Sequence, residues 1–208
     1  VTNVPFVANC DEMHCFQACL SMVLQNSSLH QHLSWEELDR ITGKKQGKVT
    51  WQSQGILYLL EQGFEVIYIK DFDYVYFVEF GDKYILERFG NVLGNILIKC
   101  SNISDEIDNA SKLIQRLPLS CRPARIEDIR QLLACGYLII CLVNWCKLNA
   151  HIGYEGHYVL VYDISETHIY LHDPGLPTYI SQALTITEFE QAWAAPTQRD
   201  RNLIAIKG

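Results

Sequence analysis

The sequence predicts an α+β protein, with a helical amino-terminal half over about residues 1–136 and a β-rich carboxy-terminal half over about 137–208. Three observations carry this. Apolar residues recur at helical spacing up to Gly136; after it come the strand-like runs YLIICLV, HYVLVYDI, HIYLHD and NLIAIK; and the two kinds of segment are segregated along the chain. Such segregation excludes alternating βαβ units. A chain of 208 residues, 49% hydrophobic and 20% charged, has the composition of a folded domain. It has no internal repeat, low-complexity tract or flexible linker, so one domain is expected over 1–208.

The first helix is expected from Cys15 to about Gln25, where CFQACLSMVLQ repeats apolar side chains on neighbouring faces. A second begins at Ser34, whose Ser-Trp-Glu-Glu order is a capping box, and stops near Gly43. Helical spacing returns over Thr50–Gln62, with Gly63 as its stop before the strand FEVIYI. The aromatic stretch Phe72–Phe89 fits both periods and reads as helix, interrupted at Gly81. Further helices follow over Ser104–Leu117 and Ile126–Cys135, the latter ended by Gly136. Within the β-rich half, TITEFEQAWA forms one short helix with a capping box from Thr187 to Glu190.

A net charge of −7 without a Lys/Arg cluster excludes a phosphate-backbone footprint, so nucleic acid is not an expected partner. The longest apolar run, Tyr137 to Val143, falls well short of the ~18 residues needed to span a bilayer. The opening residues lack the features of a secretory signal. Several of the eight cysteines sit in apolar patterns where a free thiol behaves as a small core side chain, which favours a reducing compartment. A cytoplasmic protein, or a secreted effector without a recognisable signal peptide, is the expectation.

The chemistry lies in a hairpin. His157–Ile164 and Thr167–Asp173 flank turn residues at Ser165 and Glu166. Centred on Ser165, the hairpin pairs Val161 with Ile169, Val159 with Leu171 and His157 with Asp173. One face is then apolar and ends in a His/Asp couple. A carboxylate on one ring nitrogen orients the imidazole and leaves the other to exchange a proton with a nucleophile. Cys15 opens the first helix and supplies that nucleophile; Asn9, six residues earlier, offers an amide to a developing oxyanion.

The stretch VPFVANCDEMHCFQACLSMVL, together with GHYVLVYDI, LHDPG and TITEFEQAW, resembles the bacteriocin-processing, or double-glycine leader, branch of the papain-like cysteine peptidases. The resemblance covers both ends of the chain and most of its second half. It implies a papain-like fold with Cys15 as nucleophile, His157 as base and Asp173 as third member, acting on a peptide or protein substrate. Two departures stand out: Asn9 replaces the family's oxyanion Gln, and Phe16-Gln17 replaces Gly-Pro.

Transpeptidation and deamidation use the same residues, and a peptidase-like domain that holds a peptide tail without cutting it is the non-enzymatic alternative. Asp173 also has a plain local reading, as the start of an Asp-Pro-Gly turn. Cys10, Cys19, Cys100, Cys121, Cys135, Cys141 and Cys146 read as structural. Cys10, His14, Cys15 and Cys19 lack the second ligand pair of a structural zinc site, so no metal or other cofactor is expected. His168 and His172 alternate away from Asp173 as solvent-facing or packing residues; His151 is expected in a loop at the cleft mouth, and His30 and His32 in loops.

Overall fold

A computed structural model describes residues 4 to 208. The reading of the opening residues as lacking a secretory signal falls partly on residues 1 to 3, outside the described residues. Helix α1 (Cys15–Asn26) is buried along its length. Helix α2 (Trp35–Thr42) begins at the expected box: Glu37 donates its N–H to the Ser34 side chain, and its carboxylate accepts the Ser34 N–H at 2.8 Å. It ends on Gly43 in the left-handed region, φ 67.

Helix α3 (Ser53–Glu61) starts later than Thr50. The Thr50 and Gln52 side chains instead accept tertiary hydrogen bonds, from Gln17 at 3.1 Å and from Tyr158 at 2.8 Å. Strand β1 (Glu65–Lys70) follows. The aromatic stretch is helical, as α4 (Tyr74–Phe80) and α5 (Asp82–Cys100), broken at Gly81 and kinked again at Gly90. Then come α6 (Ile103–Arg116), α7 (Ile126–Ala134), β2 (Leu138–Asn144), a single turn α8 (Trp145–Leu148), β3 (Gly156–Ile164), β4 (His168–Asp173), β5 (Tyr179–Thr185), α9 (Ile186–Trp193) and β6 (Asn202–Lys207). No helix among the described residues is long and apolar enough to cross a membrane.

The six strands form one antiparallel sheet in the order β1-β6-β2-β3-β4-β5. Strand β1 comes from the helical half, and β6 bridges it to the rest. One apolar cluster joins α1, α3 and α6 to Tyr68, Ile140, Leu160 and Ile204 of the sheet. A second lies under α7 and α9, where Phe189 and Trp193 cover Cys141, Val159, Val161, Ile169 and Leu171. Burying both faces orders the sheet along its central strands.

Two expectations need correction. The cap of α9 is Thr185 with Glu188, whose backbone and side-chain bonds close at 2.8 and 3.2 Å, and not Thr187 with Glu190. The sequence holds two overlapping capping patterns; β5 runs up to Thr185, so the helix starts on the earlier one. The hairpin register is also displaced by two residues: Val161 pairs with Leu171 and Leu160 with His172. Ser165 and His168 close a longer turn than expected, the His168 N–H reaching the Ser165 hydroxyl at 2.9 Å, and a bulge lies between Val161 and Asp163. Because the displacement is even, the side chains from His157 to Val161 and from Ile169 to Asp173 keep their faces of the sheet, while beyond the bulge Ile164 joins the face of Val161.

Candidate active site

Three elements converge on one spot. Cys15 is the first residue of α1, half-buried, where the unpaired N–H groups of a helix start favour negative charge. His157 is the second residue of β3, held opposite Val143 of β2. Asp173 ends β4 and is fully buried. In the displaced register Asp173 stands one step beyond the Leu160–His172 pair, so His157 reaches it diagonally rather than straight across.

Contact is made nonetheless. His157 Nε2 lies 2.6 Å from Asp173 Oδ1, and Cys15 is close enough to the same ring to raise its pKa. With Nε2 engaged by the carboxylate, Nδ1 is the nitrogen left for sulfur. Burial works to lower the His157 pKa, but its hydrogen bonds to Asp173 and Cys15 and their negative charges outweigh it and push the value up to about 10. The imidazole therefore holds its proton across the neutral range.

The Asp173-Pro174-Gly175 turn fixes the carboxylate. The Gly175 N–H donates to Asp173 Oδ1 at 2.7 Å. A Cβ at Gly175 would sit 2.8 Å from that oxygen and 3.2 Å from His157 Nε2. The residue is a glycine because the couple occupies the space a side chain needs. Asn9 is tied to the same turn, its N–H donating to the Pro174 carbonyl at 2.9 Å. Its side-chain oxygen accepts the Asp11 N–H at 3.3 Å, which leaves the NH₂ end of the amide as the group able to donate elsewhere.

Beside Cys15 opens a cavity of about 600 Å³, walled by Trp51, Leu93, Leu97 and Tyr158 among others. Helix α5 lines it on both sides of the Gly90 kink (φ 75), with Arg88 and Phe89 before it and Val92, Leu93, Ile96 and Leu97 after it.

No family model and no curated protein matches this chain. Among solved structures it is similar to a crystal structure from Bacillus anthracis described as a "putative C39-like peptidase", at 14% identity and a TM-score of 0.56. The match covers 100% of this chain and 96% of that one. The fold is papain-like.

Within that fold, the Phe16-Gln17 departure is absorbed by the core. Phe16 packs 5.0 Å from the Tyr158 ring and against Gly55, where a Cβ would come within 2.7 Å of it. Gln17 is buried and donates to the Thr42 and Thr50 hydroxyls at 3.1 Å. Cys19 is fully buried, and burial pushes its thiol well above the usual range, as it does for Cys141. All eight cysteines are free thiols.

His172 is a buried packing residue between Phe6 and Tyr162, with Nε2 3.1 Å from the Val4 carbonyl; burial lowers its pKa. His168 bonds the Thr167 hydroxyl at 2.9 Å. His151 stacks on Trp145 and is not part of the cavity wall. Cys10, Asp11 and His14 bring donor atoms within 4.8 Å of one another, yet both ring nitrogens of His14 are engaged, by Asp11 at 2.7 Å and Asp39 at 3.0 Å. Sequence reasoning missed the role of Gly175, whose turn motif was visible but whose neighbours were not, and the presence of Lys70 in the cavity wall.

Proposed function

We propose that this chain is a cysteine peptidase-type hydrolase that cuts a peptide or amide bond through a thioester on Cys15. The observation that carries the reading is a thiol at a helix start within reach of a buried imidazole, itself bonded at 2.6 Å to a buried carboxylate. A papain-like fold agrees with it, and the motif resemblance to bacteriocin-processing peptidases points to a peptide substrate.

In this reading the proton held by His157 comes from Cys15, so the resting pair is thiolate and imidazolium. The thiolate attacks the carbonyl carbon, and the negative charge that moves onto oxygen is met by the Asn9 amide and the Cys15 N–H. His157 gives its proton to the departing amine as the carbon–nitrogen bond breaks. Water, deprotonated by the now neutral imidazole, then attacks the thioester carbonyl; the carbon–sulfur bond breaks, the acyl group leaves as the acid, and the thiolate–imidazolium pair is restored. Transpeptidation or deamidation differs only in which amine leaves or which nucleophile replaces water.

Alkylation tests the reading. Iodoacetamide at neutral pH, followed by mapping of the adducts, should label Cys15 far faster than the exposed Cys10, Cys121 and Cys135, and His157→Ala should remove that advantage. Equal, slow labelling of all four would favour a peptidase-like binder that does not cut.

A further inference from the structure

The wall of the cavity beside Cys15 is mostly carbon, and all of its cations but one are paired among the described residues. Arg88 meets Asp200 at 3.1 Å, and Arg199 meets Asp71 at 2.6 Å. Glu12 is exposed at the mouth. Lys70, the last residue of β1, is the exception: its ammonium has neither a hydrogen-bond nor an ion-pair partner among the described residues. It rests instead over the Phe72 ring at 4.8 Å and the Trp51 ring at 5.6 Å.

A cation held this way, half-buried and over two aromatic rings, is only partly solvated. Burial, helped by the positive charge of Arg88, lowers the Lys70 pKa to about 8, against the weaker pull of Asp200 and Glu106. Glu106 is only about half ionised near neutrality, since burial raises its own pKa to about 7. The site thus carries the cost of an uncompensated ammonium in an apolar wall, a cost that an incoming carboxylate would offset. A volume of about 600 Å³ is within the ~300–1,000 Å³ range of small-ligand clefts, enough for a short segment and not for a folded partner.

We propose that Lys70 is a specificity residue, and that the cleft takes a short apolar peptide segment whose carboxylate, at its end or on one side chain, reaches the Lys70 ammonium. Apolar side chains fill the space between α5 and Tyr158, and the carboxylate sets how far the segment enters. This deepens the peptidase reading and rests on it for the chemistry, but the recognition itself is independent of turnover.

The test is therefore a binding measurement on the full chain carrying Cys15→Ala. Calorimetry would compare Leu-Leu-Phe with its carboxy-terminal amide, and Leu-Glu-Phe-amide with Leu-Gln-Phe-amide, on proteins with Lys70, Lys70→Met and Lys70→Arg. In at least one pair the carboxylate peptide should bind about 10-fold or more tightly than its neutral partner, as expected for a charge-assisted hydrogen bond in an apolar wall. Lys70→Met should bring that ratio to about one while the neutral peptide keeps its affinity, and Lys70→Arg should preserve the ratio. Should Lys70→Met not fold, Lys70→Gln serves in its place. Equal affinities within both pairs, a preference that survives removal of the ammonium, or no peptide binding at all would each overturn the proposal. So would a preference confined to dodecanoate over dodecan-1-ol, which would assign the cleft to a fatty chain. Turnover through Cys15 without carboxylate discrimination would sink this inference alone; discrimination in a chain whose Cys15 is unreactive would sink the peptidase reading alone.

Discussion

Replacing Gly175 by Ala adds one methyl group to the most crowded point of the site. The new carbon would lie 2.8 Å from Asp173 Oδ1, closer than real Cβ contacts come, and 3.2 Å from both Nε2 and Cε1 of His157. Asp173 is fully buried, so relief comes from moving its carboxylate off the imidazole or tilting the ring away. Either movement stretches the 2.6 Å bond and the 2.7 Å bond from the Gly175 N–H. Losing a hydrogen bond of this charged kind costs about 1.5–3 kcal/mol, which converts to a fall of about 10- to 150-fold in kcat/KM. Gly175 is not in the left-handed region, so Ala brings no backbone strain, and its smaller unfolded-state entropy returns about 0.4–1 kcal/mol. The variant should fold and remain measurable. The assays are kcat/KM for the peptide that the parent protein cleaves fastest, the rate of Cys15 alkylation, and the pH profile of each. Because Asp173 helps to raise the His157 pKa, the alkaline limb should move toward neutrality in Gly175→Ala. A variant within twofold of the parent, or one that loses activity with an unmoved alkaline limb, would show that the methyl group does not act through the His157–Asp173 couple.

Other consequences follow from the same contacts. With the His157 pKa raised to about 10, kcat/KM should hold through neutral pH and fall as the imidazolium loses its proton near pH 10. The sign is that of a raised folded-state pKa: the stability contributed by the charged ring is complete below its ordinary value of about 6.5 and lost as pH rises through about 10. Asp173→Asn removes both the bond and the charge, so turnover should drop strongly and the alkaline limb shift down; unchanged turnover would remove Asp173 from the mechanism. At the base of α1, Gly55→Ala would push a Cβ to 2.7 Å from the Phe16 ring, and overpacking of this kind should lower stability by about 1–3 kcal/mol in urea unfolding. A neutral result there would mean that Phe16 shifts freely into the cleft.

Much of this architecture was legible because its causes are local. The box at Ser34, the stops at Gly43 and Gly136, and the runs that became β2, β3, β4 and β6 depend on residues a few positions apart. Cys15 at a helix start was legible for the same reason; the His157/Asp173 contact was legible from strand alternation, and survives a displaced register because the two remain on one face. Strand β5 was not: its exposed sequence YISQALT has no alternation of its own, and it is a strand because β4 offers it a partner. The α8 turn was missed as well; it is four residues long and held by the Asn144 side chain, which accepts the Cys146 N–H at 3.0 Å.

By itself, then, the sequence determined the order of most helices and strands and the faces of the central residues of β3 and β4. Tertiary structure alone decided the two-residue displacement of the hairpin, the place of β1 beside β6, the glycine required against the His157–Asp173 couple, and the entry of Lys70 into the cleft wall. The physical reason is range. Helix periodicity, caps and strand alternation are interactions among neighbours in the chain, whereas bulges, steric exclusion and the burial of a charge depend on residues that only folding brings within a few ångströms of one another.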